Sequence, residues 1–180
     1  MRSVLVRFRS VVLVAGAAGI VLGIDIISIQ MDRQSQEESY PSDNYSQIEE
    51  GLSVGGMLSK PPPGTRAVLN VCETKDPYGA EVHRWEPLED LGPAPGLDWL
   101  RIQVAFIDEQ RKAGRPMYVH CRAGVNRSVM VVAAYLMWRD GLSRDDALRF
   151  IREKRPRIGP HAVYLDYLLE WEMALKKDKR

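Results

Sequence analysis

Nine consecutive residues, His120-Cys121-Arg122-Ala123-Gly124-Val125-Asn126-Arg127-Ser128, combine a nucleophile, an anion cradle and a guanidinium clamp. They follow a short apolar run, Met117-Tyr118-Val119, and precede a long one from Val129 to Trp138. That pattern predicts a buried strand, a tight loop and a buried helix. A loop feeding a helix N-terminus gathers backbone N–H groups around one point, with the positive end of the helix dipole behind them. Such a nest binds a tetrahedral oxyanion, here expected along Arg122, Ala123, Gly124, Val125, Asn126 and Arg127. Cys121 stands at its base, where the same field favours the thiolate. Arg127, six residues on, can fold back and hold two phosphate oxygens with its planar fork. Gly124 permits the close backbone approach an anion needs. The Ser128 hydroxyl can donate to the cysteine sulfur, and His120 can fix the loop from behind. The chemistry these residues predict is hydrolysis of a phosphate ester.

A lone buried cysteine is more often a small core residue than a nucleophile. The surrounding glycine, arginine and hydroxyl, at this spacing and in this context, outweigh that reading. The Gly-Lys-Ser/Thr ending of a nucleotide-binding loop is missing. Zinc is not expected, because Cys72 is the only other cysteine and the three histidines are scattered. No metal and no cofactor are called for.

The pattern His120-Cys121-x5-Arg127-Ser128 resembles the signature of the cysteine-dependent protein tyrosine phosphatase superfamily, in its compact dual-specificity branch. Tyr45-Ser46-Gln47-Ile48 through Gly51-Leu52-Ser53-Val54-Gly55-Gly56 resembles the first strand of that domain. Ala67-Val68-Leu69-Asn70-Val71 resembles its second, and Arg155-Pro156 with Pro160 the joint before its last helix. The resemblance runs from about Tyr45 to Trp171. It implies an α/β fold with a small central mixed sheet flanked by helices. It also implies a general acid upstream of the cysteine, on a mobile loop. Asp90, 31 residues before Cys121, fits that role within Glu86-Pro87-Leu88-Glu89-Asp90-Leu91-Gly92-Pro93. Glu89 should face the other way, and Asp98 should open the next helix.

The mechanism expected is double displacement. Phosphate passes to Cys121 under the loop amides and Arg127, while Asp90 protonates the leaving oxygen and later takes a proton from water. Ser128 would ease departure of the thiolate. Phosphotyrosine, phosphoserine and phosphothreonine in proteins come first as substrates, because no long insertion walls a deep pocket. A lipid phosphate is the alternative, although Arg122 is the only basic residue between Cys121 and Arg127. A silent phosphoprotein-binding module is the rival from a different class. Family members with a second cysteine near the first suggest Cys72 as a redox partner for Cys121, against the reading of Cys72 as a buried core residue.

Leu97, Leu100, Val104 and Ile107 recur at helical spacing, which predicts a helix from Gly96 to Ala113 ending at Gly114. A second, apolar all round, is expected over Ser128 to Asp140 as the buried centre. Ser143-x-x-Asp146 should cap a third. Pro160 should open the last, with Val163, Tyr164, Tyr167, Leu168 and Trp171 as a core stripe.

Residues 45–176 are expected to form one catalytic domain, a monomer, behind a polar linker at 31–44. Outside the first 30 residues the chain carries 22 basic and 23 acidic residues, a net of −1 that gives no nucleic-acid footprint. The hydrophobic segment 1–30 has Arg2, Arg7 and Arg9 before an uncharged run from Ser10 to Ile24. It reads as a signal or anchor, with membrane contact through residues 10–29 and a membrane-associated or exported protein. A translation start at Met31 would instead give a cytoplasmic one.

Overall fold

In the computed structural model, which describes residues 43–178, five short strands form one sheet and four helices pack beside it. The predicted segment 1–30 and residues 31–42 of the predicted linker 31–44 lie outside the described residues. The first strand expected from the sequence is a pair: β1 (Tyr45–Glu49) and β2 (Leu52–Gly55) run antiparallel around Gly51. Gly51 sits at φ +73°, which a residue with a side chain adopts only at a cost, and the reversal forms there. β3 (Ala67–Asn70) and β4 (Val82–Trp85) follow. The edge strand β4 was not expected: its Val-His-Arg-Trp run alternates half-buried with exposed, too short and polar to stand out.

Helix α1 (Leu97–Lys112) matches its predicted span, with Asp98 in its first turn. Strand β5 (Met117–His120) then inserts at the centre of the sheet, whose order is β1-β2-β5-β3-β4. It runs parallel to both neighbours, and His120 is level with Gly55 and Asn70. The nine-residue loop therefore leaves the carboxyl edge of the central strand, where parallel sheets open a crevice.

Helix α2 (Arg127–Asp140) starts one residue earlier than expected and is buried from Arg127 through Met137. No polar face is needed, since the sheet, α1 and two later helices surround it. Gly141, at φ 70°, ends it. Helices α3 (Arg144–Lys154) and α4 (Ala162–Asp178) complete the layer. In α4, Tyr164, Tyr167, Leu168 and Trp171 are buried, and Trp171 Nε1 donates to Ala134 O at 3.0 Å. Val163 does not belong to that stripe: it is 47% exposed, one residue off the buried face.

Alternation along the central strands divides the core. Met117, Val119, Ala67 and Leu69 face the helices, while Tyr118 and Val68 pack under Leu58 on the other face. The cap of α3 forms as predicted, with Asp146 N donating to Ser143 Oγ at 3.2 Å. Replacing Ser143 by Ala should cost about 1 kcal/mol in urea unfolding. An unchanged midpoint would mean that the cap adds nothing to packing of α3.

Candidate active site

Cys121 follows the last residue of β5 and is 1% exposed, its sulfur 3.3 Å from Ser128 Oγ. Ser128, in the first turn of α2, also reaches Gly55 O at 3.3 Å. The backbone between them is set by its carbonyls. Arg122 O accepts from Met57 N at 2.9 Å, and Val125 O from Gly159 N at 2.9 Å. Ala123 O accepts from Arg155 Nη2 at 3.3 Å and Asn44 Nδ2 at 3.4 Å. Gly124 O accepts from Arg155 Nε at 2.7 Å.

Four successive carbonyls are thus tied to groups outside the loop. In a planar trans peptide the N–H points opposite to the C=O, so the amides of Ala123, Gly124, Val125 and Asn126 turn inward. Among the described residues none of these four amides meets an acceptor. They leave a ring of unpaired N–H donors beside Cys121, continued by the open first turn of α2, a geometry that suits an anion.

Gly124 is required twice over. Its φ is +69°, and a Cβ there would lie 2.3 Å from Gly55 C and 2.5 Å from Gly56 N. The loop can pack this closely against the end of β2 only through glycine.

Arg127 is buried, with Nη1 2.8 Å from Leu88 O and 2.7 Å from Glu73 Oε2. Nε lies 3.0 Å from Asp90 Oδ1, but its N–H points off that oxygen, so this buried donor has no aligned acceptor. One terminal nitrogen therefore anchors the guanidinium, while Nε is left without an aligned acceptor. Burial works against the charge of Arg127, but Glu73, Cys121 and Asp90 outweigh it and raise the guanidinium pKa. Burial likewise opposes charge on Glu73, yet the Arg127 contact pushes its carboxyl down to about 2.

Asp90 arrives on the segment between β4 and α1. Asn126 Nδ2 donates to Asp90 Oδ1 at 2.9 Å and to Asp90 O at 3.2 Å. Tyr164 OH donates to Glu89 O at 3.1 Å and Tyr167 OH to Gly96 O at 2.9 Å, so the α4 tyrosines tether this segment as well as filling the core. Glu89 is exposed beside it.

The structure thus brings together Cys121, Arg127, Asp90 and Ser128. Two other predicted phosphate contacts have different side-chain partners: Arg122 Nη2 donates to Thr74 Oγ1 at 3.0 Å, and Asn126 Oδ1 accepts from His161 N at 2.9 Å. His120 lies behind the loop, stacked on Tyr118 with ring centroids 5.0 Å apart. Cys72 and Cys121 are both free and buried. Burial pushes the Cys72 thiol up, and it donates to Glu73 Oε2 at 3.3 Å.

Glu73, Arg155 and Asn44 were missed from sequence. Arg155 stood out only as part of a joint, and Asn44 as the end of a linker. A long-range brace leaves no local pattern; the one available hint was an arginine before proline in a chain otherwise rich in surface charge.

A model of the dual specificity phosphatase catalytic domain matches residues 64–174. Human dual specificity protein phosphatase 8 is 42% identical over 90 residues, which cover 50% of this chain and 14% of that protein. The chain spans between 14% and 30% of the length of several such relatives. A mouse putative dual specificity phosphatase crystallised with zinc tungstate superposes with a TM-score of 0.70 at 24% identity, over 78% of this chain and 93% of that one. PTPMT1 in complex with PI(5)P gives 0.69 at 22%, over 77% and 100%. The chain belongs to the dual specificity phosphatase family, and its residues 64–174 are that family's catalytic domain.

Arg155 should be as important to this loop as the residues inside it. Replacing it by Met strips the buried Gly124 carbonyl of its donor, a loss costing about 1–3 kcal/mol, and leaves Ala123 O to Asn44 alone. Competitive inhibition by inorganic phosphate should weaken about tenfold or more, with a lowered thermal midpoint. Unchanged phosphate inhibition would mean that the loop holds its shape without the brace.

Proposed function

We propose that residues 45–176 hydrolyse phosphate monoesters on proteins through a cysteinyl-phosphate intermediate. The observation that carries this reading is the ring of inward amides around Cys121, with the unpaired Nε of Arg127 beside it. Phosphate oxygens match those donors, and charge that builds on them during transfer meets dipoles already in place.

Cys121 Sγ attacks phosphorus, an S–P bond forms as the ester P–O bond breaks, and Asp90 gives its proton to the leaving oxygen. Water then attacks phosphorus, Asp90 takes a proton from it, and the P–S bond breaks to return the thiolate. Ser128 Oγ, 3.3 Å from the sulfur, donates to that returning charge. Arg127 uses Nη1 to stay anchored to Leu88 O and Glu73, and offers the rest of its fork to the phosphoryl group. Asn126 holds Asp90 at the rim.

Protein substrates are favoured over phospholipid headgroups by charge. Arg122, the one extra basic side chain in the loop, is engaged by Thr74, and Glu73 adds a carboxylate at the wall, so little cationic surface remains for a second headgroup phosphate. PTPMT1, whose complex with PI(5)P has the same fold, makes a phosphoinositide the natural counter-substrate.

The test is turnover of a small aryl phosphate by the full chain in reductant and chelator. Cys121→Ser should abolish it, and Asp90→Ala should lower kcat about a hundredfold, as for loss of a positioned general acid. Phosphopeptides should be turned over in preference to PI(5)P vesicles. A folded wild type without turnover would overturn the enzyme reading in favour of a phosphate-binding module, and preference for the vesicles would overturn the substrate class.

A further inference from the structure

The segment after β3 forms one wall of the active site and then opens into a second depression that the mechanism does not use. It runs through Glu73, which holds Arg127, and Thr74, whose Oγ1 accepts from Arg122 Nη2. The next residue, Lys75, carries its ammonium elsewhere, with Nζ 4.7 Å from the centre of the Trp85 ring. Lys75, Asp76, Tyr78, His83 and Trp85 line a half-open cleft of about 380 Å³. Thr74 touches the catalytic loop and Lys75 the cleft, so the two sites are neighbours. An extended peptide with its phosphoresidue at Cys121 spans that gap in a few residues, at about 3.3 Å each.

The sheet places the side chains of this cleft. Alternation along β4 sets Arg84 on the Phe106 ring of α1, 4.4 Å from its centre, and turns His83 and Trp85 to the opposite face. Trp85 Nε1 donates to Cys72 O at 2.9 Å, which pins the indole, yet the residue stays 38% exposed. Tyr78 stacks on His83 with planes 15° apart. Asp76 offers the cleft no charge of its own. Its side chain is 0% exposed, and its Oδ2 accepts from Asn70 Nδ2 and faces His83 Nε2, each at 2.8 Å.

Lys75 is different: among the described residues no carboxylate lies within ion-pair distance of it, because Glu73 and Asp76 are engaged by Arg127 and His83. An unpaired ammonium over a pinned indole matches a carboxylate on a short apolar stem. The stem lies on the ring and the charge meets the lysine. We propose that this cleft is a specificity subsite for a glutamate or aspartate side chain flanking the phosphoresidue of a protein substrate, with Lys75 selecting it. Glu73 is the opposing charge on that wall, and Arg127 already neutralises it. The inference rests on the reading that the site at Cys121 takes a phosphoresidue of a protein, and it adds the sequence around that residue.

The test uses short phosphotyrosine peptides in which one glutamate is walked through the positions on either side, each beside a glutamine twin. Binding to full-chain Cys121→Ser is read by fluorescence anisotropy, which needs no turnover. At the position that reaches the cleft, glutamate should bind about fivefold tighter than glutamine, the upper end for a partly exposed ion pair. The gain should shrink as salt is raised. Adding Lys75→Gln should erase it, Lys75→Glu should invert it, and Lys75→Arg should keep it. Equal binding of the twins at every position overturns the proposal, and so does a gain that survives Lys75→Gln. Failure of every phosphopeptide to bind overturns it together with the protein-substrate reading, whereas binding without preference overturns it alone. A small aryl phosphate does not reach the cleft, so wild type and Lys75→Glu should turn it over equally; a large loss in folded Lys75→Glu would place Lys75 in the catalytic site and overturn the subsite.

Discussion

Everything in this domain depends on the orientation of a few peptide planes. A planar peptide cannot send its N–H and its C=O the same way. The loop after Cys121 becomes an anion site only if its carbonyls are claimed from outside. Met57, Arg155 with Asn44, and Gly159 make those claims on Arg122, Ala123, Gly124 and Val125. The donors come from before β1, after β2 and after α3, so the concavity is assembled by parts of the chain over a hundred residues apart. Stability of the fold and shape of the site are here the same set of bonds.

The second requirement is charge balance in a dry place. Arg127 is buried beside Cys121, and a lone buried guanidinium would be costly. Glu73 and Leu88 O take one of its nitrogens, and Asp90 stands near another. The acidic partners thus keep the arginine charged and aimed without saturating it. Glu73 is well suited to this, because Arg127 pulls its carboxyl down to about 2 and it stays an anion across the useful pH range. By linkage, whatever it adds to stability is present above the ordinary carboxylate range and is lost only as pH falls toward that value.

The legible part of the sequence was the part whose physics is local. Strand β5, the loop and helix α2 follow from an apolar run, a glycine and a second apolar run, and the Ser143 cap from a four-residue spacing. Cys121, Arg127 and Ser128 were readable because a loop of fixed length must bring them together. Asp90 was readable through resemblance and then through position. The β1–β2 hairpin was read as one strand, since Glu49-Glu50-Gly51 interrupts the alternation only briefly. Strand β4 carries His and Arg at an exposed edge, where a strand needs no apolar face. Glu73, Asn44 and Arg155 could not be read, because each acts across the sheet, and nothing near it in sequence names its partner.

Asn126 connects these requirements. Its backbone closes the loop and starts α2, while its side chain spans Asp90 and the amide of His161. No aspartate could replace it, since it must donate to a carboxylate on one side and accept from an N–H on the other. A single amide therefore ties the carboxylate at the rim, the cradle and the entry to α4 into one unit. Tyr164 reinforces that unit by holding Glu89 O from the same helix. The segment that carries Asp90 is consequently docked along one side only: Leu88, Glu89 and Asp90 are each bonded to the body of the domain, whereas Leu91 at its tip is 79% exposed. Glu89 and Asp90 are held by Tyr164 and Asn126, whereas Leu88 is held by Arg127, so the two sides of the Leu88–Glu89 peptide answer to different partners.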